Sequence, residues 1–455
     1  MHHPGPLARP PTALIPAGPG VVSGWGGLGV PADERRGVDL AALVRHAPLT
    51  RGLGRAYGDS ALPAPGDRWV AGSALADRLL AFDPHSGLLR AEAGVSLREL
   101  RRLLLPRGWF VPVTPGTQFV TLGGAVASDV HGKNHHESGT IGRHVRAIQL
   151  ALADGRVLRV SRDHHPDLFA ATLGGQGLTG HVLEVELAMA SVPSPWIFQE
   201  SERVPHIERF VEALTQAGPR WPFTVGWIDC LSRGAQLGRG TLMKGRWADP
   251  GEGPAHFPPV LRRITFPAPL PGWALNDWTV WAFNQLYYWK QPQRWKTGIV
   301  HPETFFYPLD AIHQWNRMYG RRGFTQHQIV IPREAGTQAV VRYLELLSSL
   351  GGASFLCVIK DCGDEGDGLL SFPKPGMSVA LDIPIRPDTQ ALVNRLNRFA
   401  LEVGGRIYLA KDTFSRAEDF REMERDRLPR FLEVRRRWDP EGHFRSAQSV
   451  RLMGW

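Results

Sequence analysis

Residues 50–60 read TRGLGRAYGDS, and the fold turns on how this stretch is understood. Gly52, Gly54 and Gly58 let backbone N–H groups come close to an anion and line a concave nest. The dinucleotide spacing G-x-G-x-x-G is absent, however, and no strand-to-helix pattern frames the loop. An ordinary turn would use the same residues, so the neighbours must decide. Three further glycine-rich loops lie nearby: TPGTQFVTLGGAVASDVHGKNHH at 114–136, ESGTIGRHV at 137–145 and TLGGQGLTG at 172–180. Several such loops on one scaffold suit a large cofactor lying against exposed backbone.

The scaffold between the loops reads as strands and hairpins. RWVAG (68–72) is a short apolar strand. LLAFDPHSGLLRAEAG folds back on itself, with Pro84 and Gly87 placed for the turn. Ser96 and Glu99 form a capping box for a helix carrying Leu97, Leu100, Leu103 and Leu104. HVRAIQLALADGRVLRVS is a second hairpin turning at Asp154-Gly155. A helix opened by Pro166, a glycine loop and a strand with Val182, Leu183, Val185 and Leu187 follow. After residue 190 the texture changes. Tryptophans become frequent, GTQAVVRYLELLSSLGG has helical periodicity, and FTQHQIVIP and SVALDIPI read as strands.

The chain has 455 residues, 43% hydrophobic and 21% charged, which predicts a globular protein of more than one domain. No apolar run reaches the roughly 18 residues of a membrane span. The proline- and glycine-rich start lacks the apolar core of a secretory signal and reads as a loose arm. Cys230, Cys357 and Cys362 are too few for a disulfide framework, and their spacing gives no zinc site. These features predict a cytoplasmic protein or one peripheral at the inner membrane. The net charge of +9 and a pI near 9.8 suit an anionic partner. No nucleic-acid-binding signature accompanies the charge, so no nucleic acid partner is expected.

Taken together, the loops resemble the FAD-binding domain of the vanillyl-alcohol-oxidase, or PCMH-type, flavoenzymes. The loop at 50–60 resembles that family's pyrophosphate loop, and PGTQFVTLGG (115–124) resembles its second loop, which runs along the isoalloxazine. Residues 153–187 are similar to its closing segment. The likeness implies an α+β fold with an inserted cap domain built on an antiparallel sheet with helices. The expected organisation is an arm at 1–20, an FAD-binding domain at 21–190, a substrate-binding cap at 191–405 and a returning segment at 406–455. Within the family, FTQHQIVIP, FLCVIK, SFPKPG, ETFFYPLDAIHQWNRMYG and YLAKD extend the resemblance to oxidases of polyprenyl-phosphate pentoses.

That resemblance implies noncovalent FAD, because Tyr57 stands where covalent relatives carry histidine. It implies cofactor contacts from Arg51, Gly52, Leu53, Gly54, Arg55, Ala56, Tyr57, Gly58, Asp59 and Ser60. The second loop would add Gly116, Thr121, Leu122, Gly123 and Gly124. Ser128, Asp129, His131, Gly132, Val182 and Tyr408 complete the implied cofactor set. Lys411, His131 and Tyr57 are the implied catalytic residues. Lys411 is a donor or base, since a lysine in a desolvated, cationic site titrates low. Lys133, Tyr307, Gln326, Gln328 and Lys360 are implied to line the substrate pocket.

Gln326 and Gln328 share one face of their strand, with His327 on the other. Trp227 suits either a sugar-packing wall or the core. Ala380 and Ser378 replace the cysteine and asparagine of the family's most studied members, which changes pocket shape but not hydride chemistry. HGKNHH (131–136) is accordingly expected to be a flavin-facing wall, and no metal is expected.

The implied reaction oxidises the C2 hydroxyl of a polyprenylphosphoryl-β-D-ribose to a ketone by hydride transfer to flavin N5. It is the first half of an epimerisation to an arabinose donor for cell-wall polysaccharide. A short-chain reductase would then act on the product, and a membrane quinone would take the electrons. A soluble aldonolactone or alditol oxidase is the alternative on the same fold, and a basic scaffold without activity is a further one. Finally, GWALNDWTVWAFNQLYYWKQPQRWKTG (272–298) interleaves aromatic and basic residues. Such a stretch fits peripheral membrane contact or burial in the cap equally well.

Overall fold

The computed structural model describes residues 14–271, 273–349, 354 and 356–454. Most of the stretch read as a loose arm lies outside them. Ile15–Pro16, within that stretch, pairs antiparallel with Leu28–Gly29 in a small sheet.

The fold is α+β. Its N-terminal part holds a parallel sheet of β1 (Asp33–Arg36), β2 (Thr50–Arg51) and β3 (Trp69–Gly72), in the order β1-β3-β2. Beside it lies an antiparallel sheet of β4 (Leu79–Asp83), β5 (Leu88–Glu92), β6 (Val145–Ala151), β7 (Val157–Ser161) and β8 (His181–Ala188). Its order is β7-β6-β8-β5-β4, so both expected hairpins form. Helix α1 (Leu97–Leu104) opens on the Ser96–Glu99 capping box and buries Leu97, Leu100 and Leu104. Helix α2 (Leu122–Ala127), capped by Thr121, and α3 (Pro166–Thr172) join it over one apolar core.

The second part is an eight-stranded sheet whose pairings are all antiparallel. Its strands are β9 (Ile197–Val204), β10 (Phe223–Ile228), β11 (Gly240–Trp247), β12 (Trp295–Val300), β13 (Phe324–Pro332), β14 (Cys357–Cys362), β15 (Gly376–Pro384) and β16 (Arg406–Ile407). They run in the order β12-β9-β11-β10-β14-β15-β13-β16. Helices α4 (Ile207–Ala217), α6 (Gly336–Ser349) and α7 (Thr389–Glu402) cover one face, and α5 (Asp277–Trp289) lies apart from them. On the helix face Cys357, Ile359, Val379 and Leu381 are wholly buried. Alternation turns Val358, Lys360 and Ala380 to the other face, where each keeps some exposure. That second face, turned from the helices, is a floor for the site.

The chain then returns to the N-terminal part. Helices α8 (Ala417–Met423), α9 (Leu428–Trp438) and α10 (Ala447–Met453) bury Phe420, Phe431, Val434 and Leu452 against Ala171 and Leu178. Among the described residues no helix is long and apolar enough to cross a membrane.

Candidate active site

Three loops meet above the sheet floor. The first is residues 51–60. Among the described residues no acceptor pairs with the backbone amides of Gly52, Leu53, Gly54, Arg55 and Ala56, although Gly54 is buried. Buried N–H groups are otherwise paired, so the unpaired Gly54 amide, flanked by four more unpaired amides in a glycine loop, marks an anion cradle. Gly54 adopts φ +64°, a conformation that side chains disfavour. At Gly52 a Cβ would lie 2.3 Å from Thr121 Oγ1, so the first and second loops touch only because that residue is glycine.

The third loop carries Lys411. Tyr57 N–H donates to the Ala410 carbonyl at 2.9 Å, and a Cβ on Gly58 would lie 1.7 Å from the Asp412 carbonyl oxygen. Arg451, partly buried, joins the two loops by donating to Asp59 (2.6 and 2.8 Å) and to Asp412 (2.9 Å). This clamp sets the Lys411 Nζ 3.4 Å from the centre of the Tyr57 ring, a cation–π contact. Gly58→Ala is therefore expected to cost about 1–3 kcal/mol, as backbone overpacking does, and to lower FAD content. Denaturant titration and the flavin absorbance of the purified protein check it, and native FAD content would contradict it.

The floor supplies polar groups in register. Gln326 pairs with Asp382, Gln328 with Ala380 and Val330 with Ser378, while Ala380 faces Val358 and Val358 faces Trp227. One row thus runs Gln328, Ala380, Val358, Trp227. Gln328 Nε2 lies 2.9 Å from His131 Nε2 and 3.2 Å from Ser378 Oγ. An amide N–H can only donate, so His131 Nε2 accepts and Nδ1 carries the proton. Among the described residues that buried Nδ1 has no partner, and neither does His135 Nε2, whose Nδ1 accepts from Gly363 N–H. Two imidazole donors are left for a bound molecule.

Charge is concentrated here. Burial lowers Lys411, opposed by Asp382 and assisted by Lys360. Burial and then Lys360 lower Lys133 to about 7 and His135 to about 3, and push His131 well below its usual range. Lys360 is itself lowered by burial. Against these stands Asp382, raised by burial and held by Gln326 Nε2 (2.5 Å) and the Tyr319 hydroxyl (2.8 Å). Lys133, Lys360 and Lys411 are thus gathered in one cationic cluster, with Asp382 as the counter-charge beside Lys411.

The structure thus gathers Tyr57, His131, Gln326, Gln328, Lys360, Ala380 and Lys411. Trp227 lies on the floor face of its strand, buried, with its ring 4.5 Å from that of Tyr287. Lys133 reaches the Phe306 carbonyl at 3.0 Å. Tyr408 packs 5.0 Å from His131 and donates to the Ser128 carbonyl, and Gly132 approaches Thr114 beside Asn134. Arg55 stacks 3.8 Å over Trp25, its buried Nε without a partner among the described residues. Gly116 and Ser60 lie along the loops, with open space where a Gly116 Cβ would stand. Gly123 and Gly124 have amides already paired, to Ala93 O and Thr121 Oγ1.

Other expected residues have their side chains elsewhere. Arg51 binds Ser23 O and Glu34, and Asp59 is paired with Arg451. Leu122 and Val182 belong to the apolar core. Asp129 accepts from Gly142 N–H and the Ser371 hydroxyl, and its pKa is raised to about 6 by burial. Tyr307 donates to or accepts from Thr114 at 2.8 Å inside an aromatic cluster. Asp382, Tyr319 and Arg451 went unnoticed in the sequence. Asp382 had a signal, two residues beyond Ala380 and so on the same strand face.

A free-amide cradle beside a cationic, polar-floored cavity, on this α+β scaffold, defines an FAD-dependent oxidoreductase of the PCMH type. Residues 35–161 match the FAD binding domain family. The chain is 34% identical over 412 residues to decaprenylphosphoryl-β-D-ribose oxidase of Mycolicibacterium smegmatis, covering 89% of this chain and 88% of that protein. It is 33% identical to an uncharacterized protein of Streptomyces coelicolor, over 79% of this chain and all of that one. A putative D-arabinono-1,4-lactone oxidase of Neurospora crassa is 28% identical over 34% of this chain and 27% of its own length. The chain belongs to the decaprenylphosphoryl-β-D-ribose oxidase family.

Proposed function

We propose that this protein oxidises the C2 hydroxyl of a polyprenylphosphoryl-β-D-ribose to the 2-keto sugar, with FAD held noncovalently. The observation that carries the reading is the cationic cavity. A neutral alditol or lactone would leave Lys133 and Lys360 without an anion in a buried site, whereas a sugar phosphate pairs with them. The M. smegmatis relative, named for such a substrate, supports the same choice.

The free amides of 52–56 would hold the FAD pyrophosphate, and Gly116, Thr121 and Gly132 would form the wall along its ring system. When bound, FAD supplies the hydride acceptor. The protein supplies the remainder. Lys411 Nζ takes the hydroxyl proton, because burial favours its neutral form. Asp382, fixed by Tyr319 and Gln326, balances the charge as the proton arrives. His131 and Gln328 orient the ribose hydroxyls, and Trp227 with Tyr287 excludes water from one side. The small Ala380 leaves room beside Gln328. A short-chain reductase acting on the keto lipid and a membrane quinone taking the electrons complete the proposed cycle towards an arabinose donor.

The test is an anaerobic visible spectrum of the purified protein with a short-chain polyprenylphosphoryl ribose. The flavin band is expected to bleach with this compound and to persist with free alditols and aldonolactones. Bleaching by a soluble sugar alone would overturn the reading.

A further inference from the structure

Helix α5 is amphipathic in the wrong sense for a globular protein. Its inward stripe is narrow: Val280, Asn284 and Tyr288, spaced four residues apart. The stripe is anchored by polar contacts, Asn284 Nδ2 donating to Asp229 at 2.7 Å and Tyr288 lying under Arg239 at 4.7 Å. Large apolar side chains point outward instead. Trp278 and Leu286 are 78% and 76% exposed, Trp273 is 77% exposed, and Trp281, Phe283 and Trp289 are exposed as well. A contiguous aromatic surface of this kind on a soluble face marks an interaction site.

Charge identifies the occupant. Residues 257–297 hold five basic residues and one acid, Asp277. Arg263 and Arg294 are paired with Glu303 and Glu202. Arg262, Lys290 and Lys296 are exposed and have no ion-pair partner among the described residues. Tryptophans flanked by free cations fit the headgroup zone of an anionic bilayer, where indole rings settle at the boundary and cations meet lipid phosphates. The position is suited to delivery. Leu275, just before α5, packs in the cluster containing Tyr57, and Tyr287 touches Trp227. The exposed face therefore backs directly onto two walls of the cavity.

We propose that the outward face of α5, with Trp273 and the Lys290–Lys296 segment, docks the protein on an anionic membrane surface, from which a lipid-linked substrate passes to the cavity beneath. The passage rests on the substrate reading given above; the docking face does not.

The holoenzyme is tested by co-sedimentation with vesicles of phosphatidylcholine alone or mixed with phosphatidylglycerol. The native protein is expected to sediment with the anionic vesicles. Trp278→Ser combined with Leu286→Ser should weaken binding about tenfold or more, and Lys290→Glu with Lys296→Glu should weaken it on anionic vesicles selectively. Flavin absorbance confirms that each variant is folded. Native protein that ignores vesicles, or a Trp278/Leu286 variant that binds as well as native, overturns the proposal. A native homodimer that the same pair dissociates would assign the face to a second copy and overturn it too. Bleaching by a water-soluble short-chain polyprenylphosphoryl ribose is read on the same samples. Bleaching without vesicle binding sinks the docking face alone. Vesicle binding without bleaching sinks the substrate reading and leaves the docking face standing.

Discussion

Lys411→Met is expected to slow anaerobic flavin reduction by about a thousandfold, within the range for loss of a general acid–base group, while FAD content stays near native. The side chain touches the Tyr57 ring and no cradle amide, so the cofactor loop should survive its removal. Lys411→Arg is expected to remain slow, because a guanidinium with a pKa above about 12 cannot release its proton near neutrality. The pH profile gives the sign. Burial lowers Lys411, so the neutral amine forms below the usual lysine range near ~10.4, and the rate should rise with pH and level off below that range. Asp382 is the anion that supports the ammonium, so Asp382→Asn should move the rising limb to lower pH. Stopped-flow absorbance decides both points. A limb that moves to higher pH would remove Lys411 from the proton-accepting role.

Arg451→Met is expected to destabilise the protein by about 3–5 kcal/mol, the cost of leaving a buried ion pair half-made. Here two carboxylates lose their partner, Asp59 at 2% exposure and Asp412 at 7%. Burial already raises Asp59, with Arg451 opposing. Without the guanidinium its folded-state pKa rises further above the unfolded value of about 3.9, and protonation then relieves the penalty. The deficit should be full at pH 8 and narrower at pH 5, read as the shift in urea midpoint at each pH. An equal deficit at both, or one below about 1 kcal/mol, would show that the clamp carries little of the fold.

Local rules were legible in the sequence because they need only near neighbours. The Ser96–Glu99 box, the turns at Gly87 and Gly155 and the helix over 336–349 all form where the residues place them. Alternation correctly put Gln326 and Gln328 on one face, and the glycine loop at 50–60 does present free amides. Beyond the two hairpins, pairing was not legible. Alternation states which face a side chain takes but not which strand lies beside it. The order β12-β9-β11-β10 therefore could not be read, nor could Asp382 be placed against Gln326. The same limit hid Arg451, one arginine among many until the fold sets it between Asp59 and Asp412. It also left the aromatic stretch at 272–298 undecided, since composition does not reveal which side of a helix faces out.

Arg451 also imposes an order in time. Asp59 and its guanidinium partner are 392 positions apart. At translation rates of about 5–20 residues per second, the first loop waits roughly 20–80 s before its clamp is synthesised. Until then Asp59 has no cation, Gly58 has no carbonyl to rest against, and Lys411 does not exist. A nascent chain with a completed N-terminal sheet therefore carries an open cradle, and secure flavin retention becomes a checkpoint that only a chain extended past Arg451 can pass.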